Sequence, residues 1–313
     1  MDLTAEIFNN EDAAREHLES LRWPNGPYCP HCGERENHHR LEGKTTRAGL
    51  FYCRACRGQF SVTVGTVFER SHIPLHKWVL ATYLLTSSKK GMSAHQLHRT
   101  LGVTYKTAWF MAHRIREAMT DKSGSGPLGG GGKIVEADET YVGPAKSEFR
   151  NGAWHYKQGV GGKRAVVTLV ERGGRARSIH FDRIKLKDVR EFVVTNTDRA
   201  SHLRTDESPL YTRMGREFAS HKTVNHSKKE YVRGDASTNA AEGYFSIFKR
   251  GMRGVYQHCG EQHLQRYLNE FDFRYSHRIA LGVDDWQRGA LALKGISGKR
   301  LTYRRTNEKE AQS

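Results

Sequence analysis

Long apolar runs are missing from this 313-residue sequence. No stretch approaches the roughly 18–20 apolar residues that a membrane span requires, which argues against a membrane-embedded protein. Met1–Asn10 has neither a cationic flank nor an apolar stretch, so it does not read as a targeting signal. Internal repeats are absent too, which removes solenoids and propellers. Cysteine is scarce, with five in the chain, and four of them form two pairs near the N-terminus. Without a secretion signal, that pattern points to metal binding rather than disulfides, and to the reducing environment of the cytoplasm. Acidic residues are in deficit: 34 Asp+Glu stand against 51 Lys+Arg, a formal net charge of +17. Such an excess favours a polyanionic partner.

The positive charge is concentrated. Phe51–Thr120 holds ten Lys/Arg and two Asp/Glu, whereas the first fifty residues are slightly acidic. A basic stretch of this kind is the footprint expected for DNA. The segment Asp121–Lys133, DKSGSGPLGGGGK, has no apolar face and reads as a flexible linker. The expected organisation is therefore an N-terminal helix and metal ribbon over 1–70 and a helical DNA-binding module over 71–120. The linker over 121–133, a larger domain over 134–290 and a basic polar tail over 291–313 complete it. In the larger domain, apolar β-branched runs such as RAVVTLVE (Arg164–Glu171) alternate with helical patterns in the order β-β-β-α-β-α-β-α. That order implies an α/β domain with a mixed sheet.

Cys29-Pro-His-Cys32 and Cys53-Arg-Ala-Cys56 stand twenty residues apart. Each Cys-x-x-Cys turn delivers two thiolates to one side of an ion, and two such turns complete a tetrahedral zinc site, a zinc ribbon. A redox pair would not come in two copies. Four thiolates fill the coordination sphere, so this Zn²⁺ folds the segment and does no chemistry.

Ser93–Leu101, a Gly102-Val103 turn and Thr104–Met119 fit a helix-turn-helix. The start of the second helix in that motif faces base edges in the major groove, which nominates Thr104, Tyr105 and Lys106 as readers. His113, Arg114 and Arg116 are expected at the DNA backbone.

Two acidic pairs follow apparent strands, in Glu136-Ala137-Asp138-Glu139 and Thr205-Asp206-Glu207. A carboxylate buried there without a partner is costly, and a divalent cation supplies one. On the helix Thr238–Arg250, Asn239, Glu242, Ser246 and Lys249 share a face, so an oxygen ligand and a phosphate-binding cation lie two turns apart. Carboxylates on two strands and one helix can converge on two Mg²⁺ or Mn²⁺ ions, the arrangement suited to phosphoryl displacement.

These residues, in this order, resemble bacterial insertion-sequence transposases of the DDE class, from about residue 10 to about residue 280. The most specific parts are DETYVG (Asp138–Gly143), STNAAEGYFSIFKRG (Ser237–Gly251) and HLQRYLNEFDFRYSHR (His263–Arg278). The segment Ala145–Gly162 follows no motif of that family. The resemblance implies an RNase H-like catalytic domain with Asp138 and Asp206 as the first two acids. It offers Glu242 or Asn239 as the third ligand, with Glu242 favoured because a carboxylate binds a hard cation better than an amide does. Lys249 matches the downstream basic residue. The implied partners are double-stranded transposon ends and target DNA, bound by a homo-oligomer, without a membrane. The alternative is a DNA-binding regulator with an inactive nuclease-like domain.

Overall fold

Local signals set the elements of the front half. Helix α1 (Glu11–Arg22) begins where the Asn10 side chain accepts from the amides of Asp12 and Ala13. Three short antiparallel strands follow in the order β1 (His38–Arg40), β2 (Phe51–Cys53), β3 (Gln59–Phe60). Trp23, just past α1, sets its ring edge-on against Phe51 and Phe60, joining helix to ribbon. Helix α2 (Leu75–Ser87) follows Pro74 and buries residues all round its circumference, from Trp78 to Thr86, as a central helix does. Ser93 caps α3 (Ala94–Leu101), and Thr104 caps α4 (Tyr105–Ala118).

The computed structural model describes residues 2–121, 125–143, 147–156, 163–225, 230 and 232–302. It divides the chain into two units, one made of 1–88, 92–120 and 284–313, the other of 89–91 and 121–283.

The second unit holds β4 (Ile134–Val142), the hairpin β5 (Ser147–Arg150) and β6 (Ala153–Tyr156), β7 (Arg164–Glu171) and β8 (Ala176–Phe181). Then come α5 (Leu186–Asn196), β9 (His202–Thr205), α6 (Pro209–Thr212) and β10 (Ser220–Thr223). A small hairpin of β11 (Val232–Arg233) and β12 (Ala236–Ser237) leads into α7 (Asn239–Gly251) and α8 (Leu264–Ser276). The main sheet runs β10-β9-β4-β7-β8. Strands β4, β7 and β8 form an antiparallel meander, while β9 and β10 run parallel to β4. A central first strand with a meander on one side and two parallel strands on the other is the RNase H-like arrangement. One face of the sheet packs Val135, Ala137, Leu169 and Leu203 against Val189, Phe192 and Tyr211. The other packs Val166 and Val170 against Phe245, Phe248 and Leu268 of α7 and α8.

Two expectations about organisation need correction. The stretch read as a flexible linker is fastened to the second unit wherever it is described. Leu128 is buried; its amide donates to the Asn196 carbonyl, and its carbonyl accepts from the Asp198 amide, both at 2.8 Å. One of the glycines serves close approach: Gly129 has φ +87°, and a Cβ there would overlap the Ser201 hydroxyl. The boundary expected at 290 falls at Val283–Asp284 instead. Helix α9 (Asp285–Lys294), opened by an Asp284–Gln287 capping box, belongs to the first unit and packs on α2. Gly289 makes that approach possible, since a Cβ there would overlap the Tyr83 ring. Beyond α9, the Ile296 carbonyl accepts from the Val67 amide, and the Gly298 amide donates to the Gly65 carbonyl. Ile296 is buried, so the start of the expected tail is core. Among the described residues, no helix is long and apolar enough to cross a membrane.

Candidate functional site

The first unit gathers four sulfurs. Turns before β1 and after β2 bring Cys29, Cys32, Cys53 and Cys56 together, with their ligand atoms all within 4.8 Å of one another. Cys29 Sγ lies 3.6 Å from Cys56 Sγ, and Cys32 Sγ lies 3.6 Å from Cys53 Sγ. A tetrahedron with Zn–S bonds of about 2.3 Å has edges of about 3.8 Å, so the sulfur set fits a structural zinc. Cys259 stands elsewhere, in the second unit.

Helices α3 and α4 meet at Gly102, which takes the left-handed conformation at φ +61° and ends α3. Thr104, Tyr105 and Lys106 are exposed at the start of α4, with Tyr105 stacked on His95 at 4.3 Å. Arg114 is half-buried, with its guanidinium 4.8 Å from the Phe110 ring centre. Arg116 is 2% exposed and His113 0%, so neither faces DNA; both belong to the interior of the helical unit. Their spacing carries that signal, because Arg116 lies four residues after Ala112 on the apolar face of α4.

In the second unit, parallel pairing aligns the first two acids. The β4–β9 ladder pairs Val135 with Leu203 and Glu136 with Arg204. Two residues further along the chain from that last pair stand Asp138, within β4, and Asp206, one residue past the end of β9. One oxygen of each, and one of Glu139, lie within 4.8 Å of one another. Burial, and then the charge of Asp206, pushes the Asp138 carboxyl up to about 7. The charge of Glu242 adds to that push, although Glu242 stands outside the trio. Glu242 is exposed in the first turn of α7, and its Oε1 accepts from the Thr238 hydroxyl at 3.2 Å. The Asp206 carboxylate accepts from the Ser208 amide at 3.0 Å.

The remaining candidates lie around this cluster at varying remove. Asn239 is exposed as the first residue of α7. Lys249, two turns past Glu242, is half-buried with its ammonium 6.0 Å from the Phe245 ring centre. His221 Nε2 lies 2.9 Å from the Thr205 hydroxyl, beside Asp206, while His226 is outside the described residues. Glu139 is not singled out by the sequence; alternation along β4 turns it toward the α5 and α6 face. There the buried phenol of Tyr211 donates to its Oε2 at 2.7 Å. Burial raises the Glu139 carboxyl as well.

Carboxylates crowded closely enough to raise one another are hard oxygen donors that a divalent cation would relieve, so this set fits Mg²⁺ or Mn²⁺. An RNase H-like sheet with Asp138 on its central strand and Asp206 just past the end of the neighbouring parallel strand, in a chain with a four-cysteine ribbon, defines the class of DDE transposases. Residues 127–276 match the ISXO2-like transposase domain, and residues 9–59 match the transposase zinc-ribbon domain. Both matched domains are those of insertion-sequence transposases of the IS1595 type. An uncharacterized protein in transposable element ISH50 of Halobacterium salinarum is 29% identical over 286 residues, spanning 85% of this chain and 91% of that one. Among solved structures, a pre-cleavage Mos1 transpososome is 11% identical, covering 66% of this chain and 72% of that one, with a TM-score of 0.31. The Mos1 strand transfer complex is 14% identical, covering 69% and 74%, with a TM-score of 0.28. Both are loose likenesses.

Proposed function

We propose that this transposase binds the terminal inverted repeats of its element through the first unit and cuts and joins DNA strands at Asp138, Asp206 and Glu242. The observation that carries this reading is the closeness of Asp138, on β4, to Asp206, just past the end of the parallel neighbour β9, with oxygens within 4.8 Å. Glu242 supplies the third carboxylate from α7, with Asn239 beside it as the alternative ligand. Two divalent cations, Mg²⁺ or Mn²⁺, would stabilise the attacking and leaving oxygens of a phosphoryl displacement when bound there.

The chain's own residues do the rest. Thr104, Tyr105 and Lys106 read base edges from the exposed start of α4, and Arg114 neutralises backbone phosphate. Lys249 holds a phosphate near the cut as a point charge. Water attacks the phosphodiester at the element end and releases a 3′-OH. That 3′-OH then attacks a phosphodiester of target DNA. Each step forms one P–O bond as another breaks, without a covalent protein–DNA link. Two ends must be joined, so the working form is a homo-oligomer on DNA.

The test is a cleavage-and-joining assay with labelled duplexes carrying the element's ends. Metal-dependent nicks and joined products, both lost in Asp138→Asn, support the reading. Binding without cleavage under active conditions would indicate a regulator. Nicks without joined products would indicate a nuclease.

A further inference from the structure

Glu136 precedes Asp138 by two residues on β4, on the same face of the sheet, and is 1% exposed. A carboxylate at that depth is costly unless charge and hydrogen bonds compensate. Here they do. Its Oε1 accepts from Arg172 Nε at 2.6 Å. Its Oε2 accepts from the backbone amides of Ala240 at 2.7 Å and Ala241 at 3.1 Å.

Those amides are the second and third of α7. First-turn amides have no acceptor within their own helix, and a negative charge there also meets the favourable end of the helix dipole. Thr238, at the N-cap position, makes no side-chain cap. The helix is thus capped by a strand residue 104 positions earlier in the chain. Arg172 extends the grip, donating through Nη2 to the Ser237 carbonyl at 3.2 Å and the Ser237 hydroxyl at 2.5 Å. The Glu136–Arg172 pair therefore holds both sides of the junction where α7 begins.

Glu242 is the residue after Ala241. Asp138 is two steps along β4 from Glu136. The acids lie on separate elements, and the side chain tying those elements together at this point is that of Glu136. We propose that Glu136 is a positioning residue: it fixes the first turn of α7 on β4 so that Glu242 faces Asp138 and Asp206. This rests on the reading of those three residues as the acid set. Glu136 itself acts through α7 and touches neither DNA nor cation.

The test measures Mn²⁺ binding by calorimetry on the full-length, DNA-free protein, with thermal unfolding in parallel. The variants are Glu136→Gln, Glu136→Ala, Glu242→Gln and the double variant Glu136→Gln/Glu242→Gln. Glutamine keeps an oxygen for the α7 amides but loses the charge facing Arg172. Glu136→Gln is expected to fold and to bind Mn²⁺ about tenfold more weakly, in the range usual for residues that orient metal ligands. Glu136→Ala should lose more than Glu136→Gln. Because Glu136 acts through Glu242, the double variant should bind within about threefold of Glu242→Gln alone. Wild-type Mn²⁺ affinity in Glu136→Gln overturns the proposal. So do losses that multiply in the double variant, and so does a Glu136→Gln protein that does not fold, since Glu136 would then serve stability alone. If Glu136→Ala does not fold, Glu136→Gln decides. Wild-type Mn²⁺ binding and cleavage in Asp138→Asn would instead refute the acid-set reading itself.

Discussion

The phenol of Tyr211 donates to Glu139 at 2.7 Å from a side chain with no exposed surface. That bond supports a carboxylate at the edge of the Asp138–Asp206 cluster and opposes the rise that burial imposes on the Glu139 carboxyl. Tyr211→Phe keeps the ring and deletes the donor. Losing a hydrogen bond to a charged, half-buried acceptor costs about 1–3 kcal/mol, so thermal unfolding should shift down by several degrees. An unchanged melting temperature would show that the bond contributes nothing.

The four sulfurs lead to a second expectation. Purified protein should carry one zinc per chain, measured by elemental analysis. Cys53→Ser, which alters a fully buried ligand, should lose it and destabilise the first unit by several kcal/mol, on the order seen when structural zinc is removed. Limited proteolysis should then cut first between residues 24 and 60. A fully folded, zinc-free variant would contradict the structural role.

Gly289 gives a stability test far from the acids. Gly289→Val would force a side chain into the Tyr83 ring between α9 and α2. Overpacking of this kind costs about 1–3 kcal/mol, readable by denaturant unfolding. A variant as stable as wild type would mean that α9 does not pack on α2 as described.

Asp272 sets a pH dependence. It is half-buried and accepts from the Tyr244 hydroxyl at 2.6 Å and the Ser178 amide at 2.7 Å. Burial nevertheless dominates and pushes its carboxyl up to about 6. A folded-state pKa above the unfolded value means that the folded chain binds the proton more tightly. The stabilisation is full below about pH 4 and is lost as pH rises through about 6, with a ceiling of about 3 kcal/mol for a shift of about two units. Denaturant unfolding from pH 4 to 7 should show this decline in wild type and a flatter course in Asp272→Asn. Parallel courses would refute it.

Legibility in the sequence follows the range of the interaction. The Cys-x-x-Cys pairs are local turns, and β7 is readable over Arg164–Glu171 because its run of apolar and β-branched residues specifies it alone. Asp138 and Asp206 stand out because each lies at or just after the end of an apparent strand. What stays hidden depends on distant partners. Glu136 looks like any strand acid until α7 arrives 104 residues later. Helix α9 carries an apolar stripe that does not say which unit it covers. Gly129 and Gly130 read as slack because the acceptors of their amides, Glu171 and Ser201, lie 42 and 71 residues away. The charge of Arg116 points to DNA, although its spacing from Ala112 assigns it to the buried face.

Metal-specificity exchange at Asp138 and Asp206 tests the central claim most directly. A thiolate is a softer ligand that accepts Mn²⁺ more readily than Mg²⁺. Asp138→Cys and Asp206→Cys should fail to cut element-end DNA in Mg²⁺ and regain part of the activity in Mn²⁺, while the matching alanine variants stay inactive in both. Cysteine variants that cut equally well in Mg²⁺, or that match alanine in Mn²⁺, would contradict the assignment of these two residues as the cation ligands.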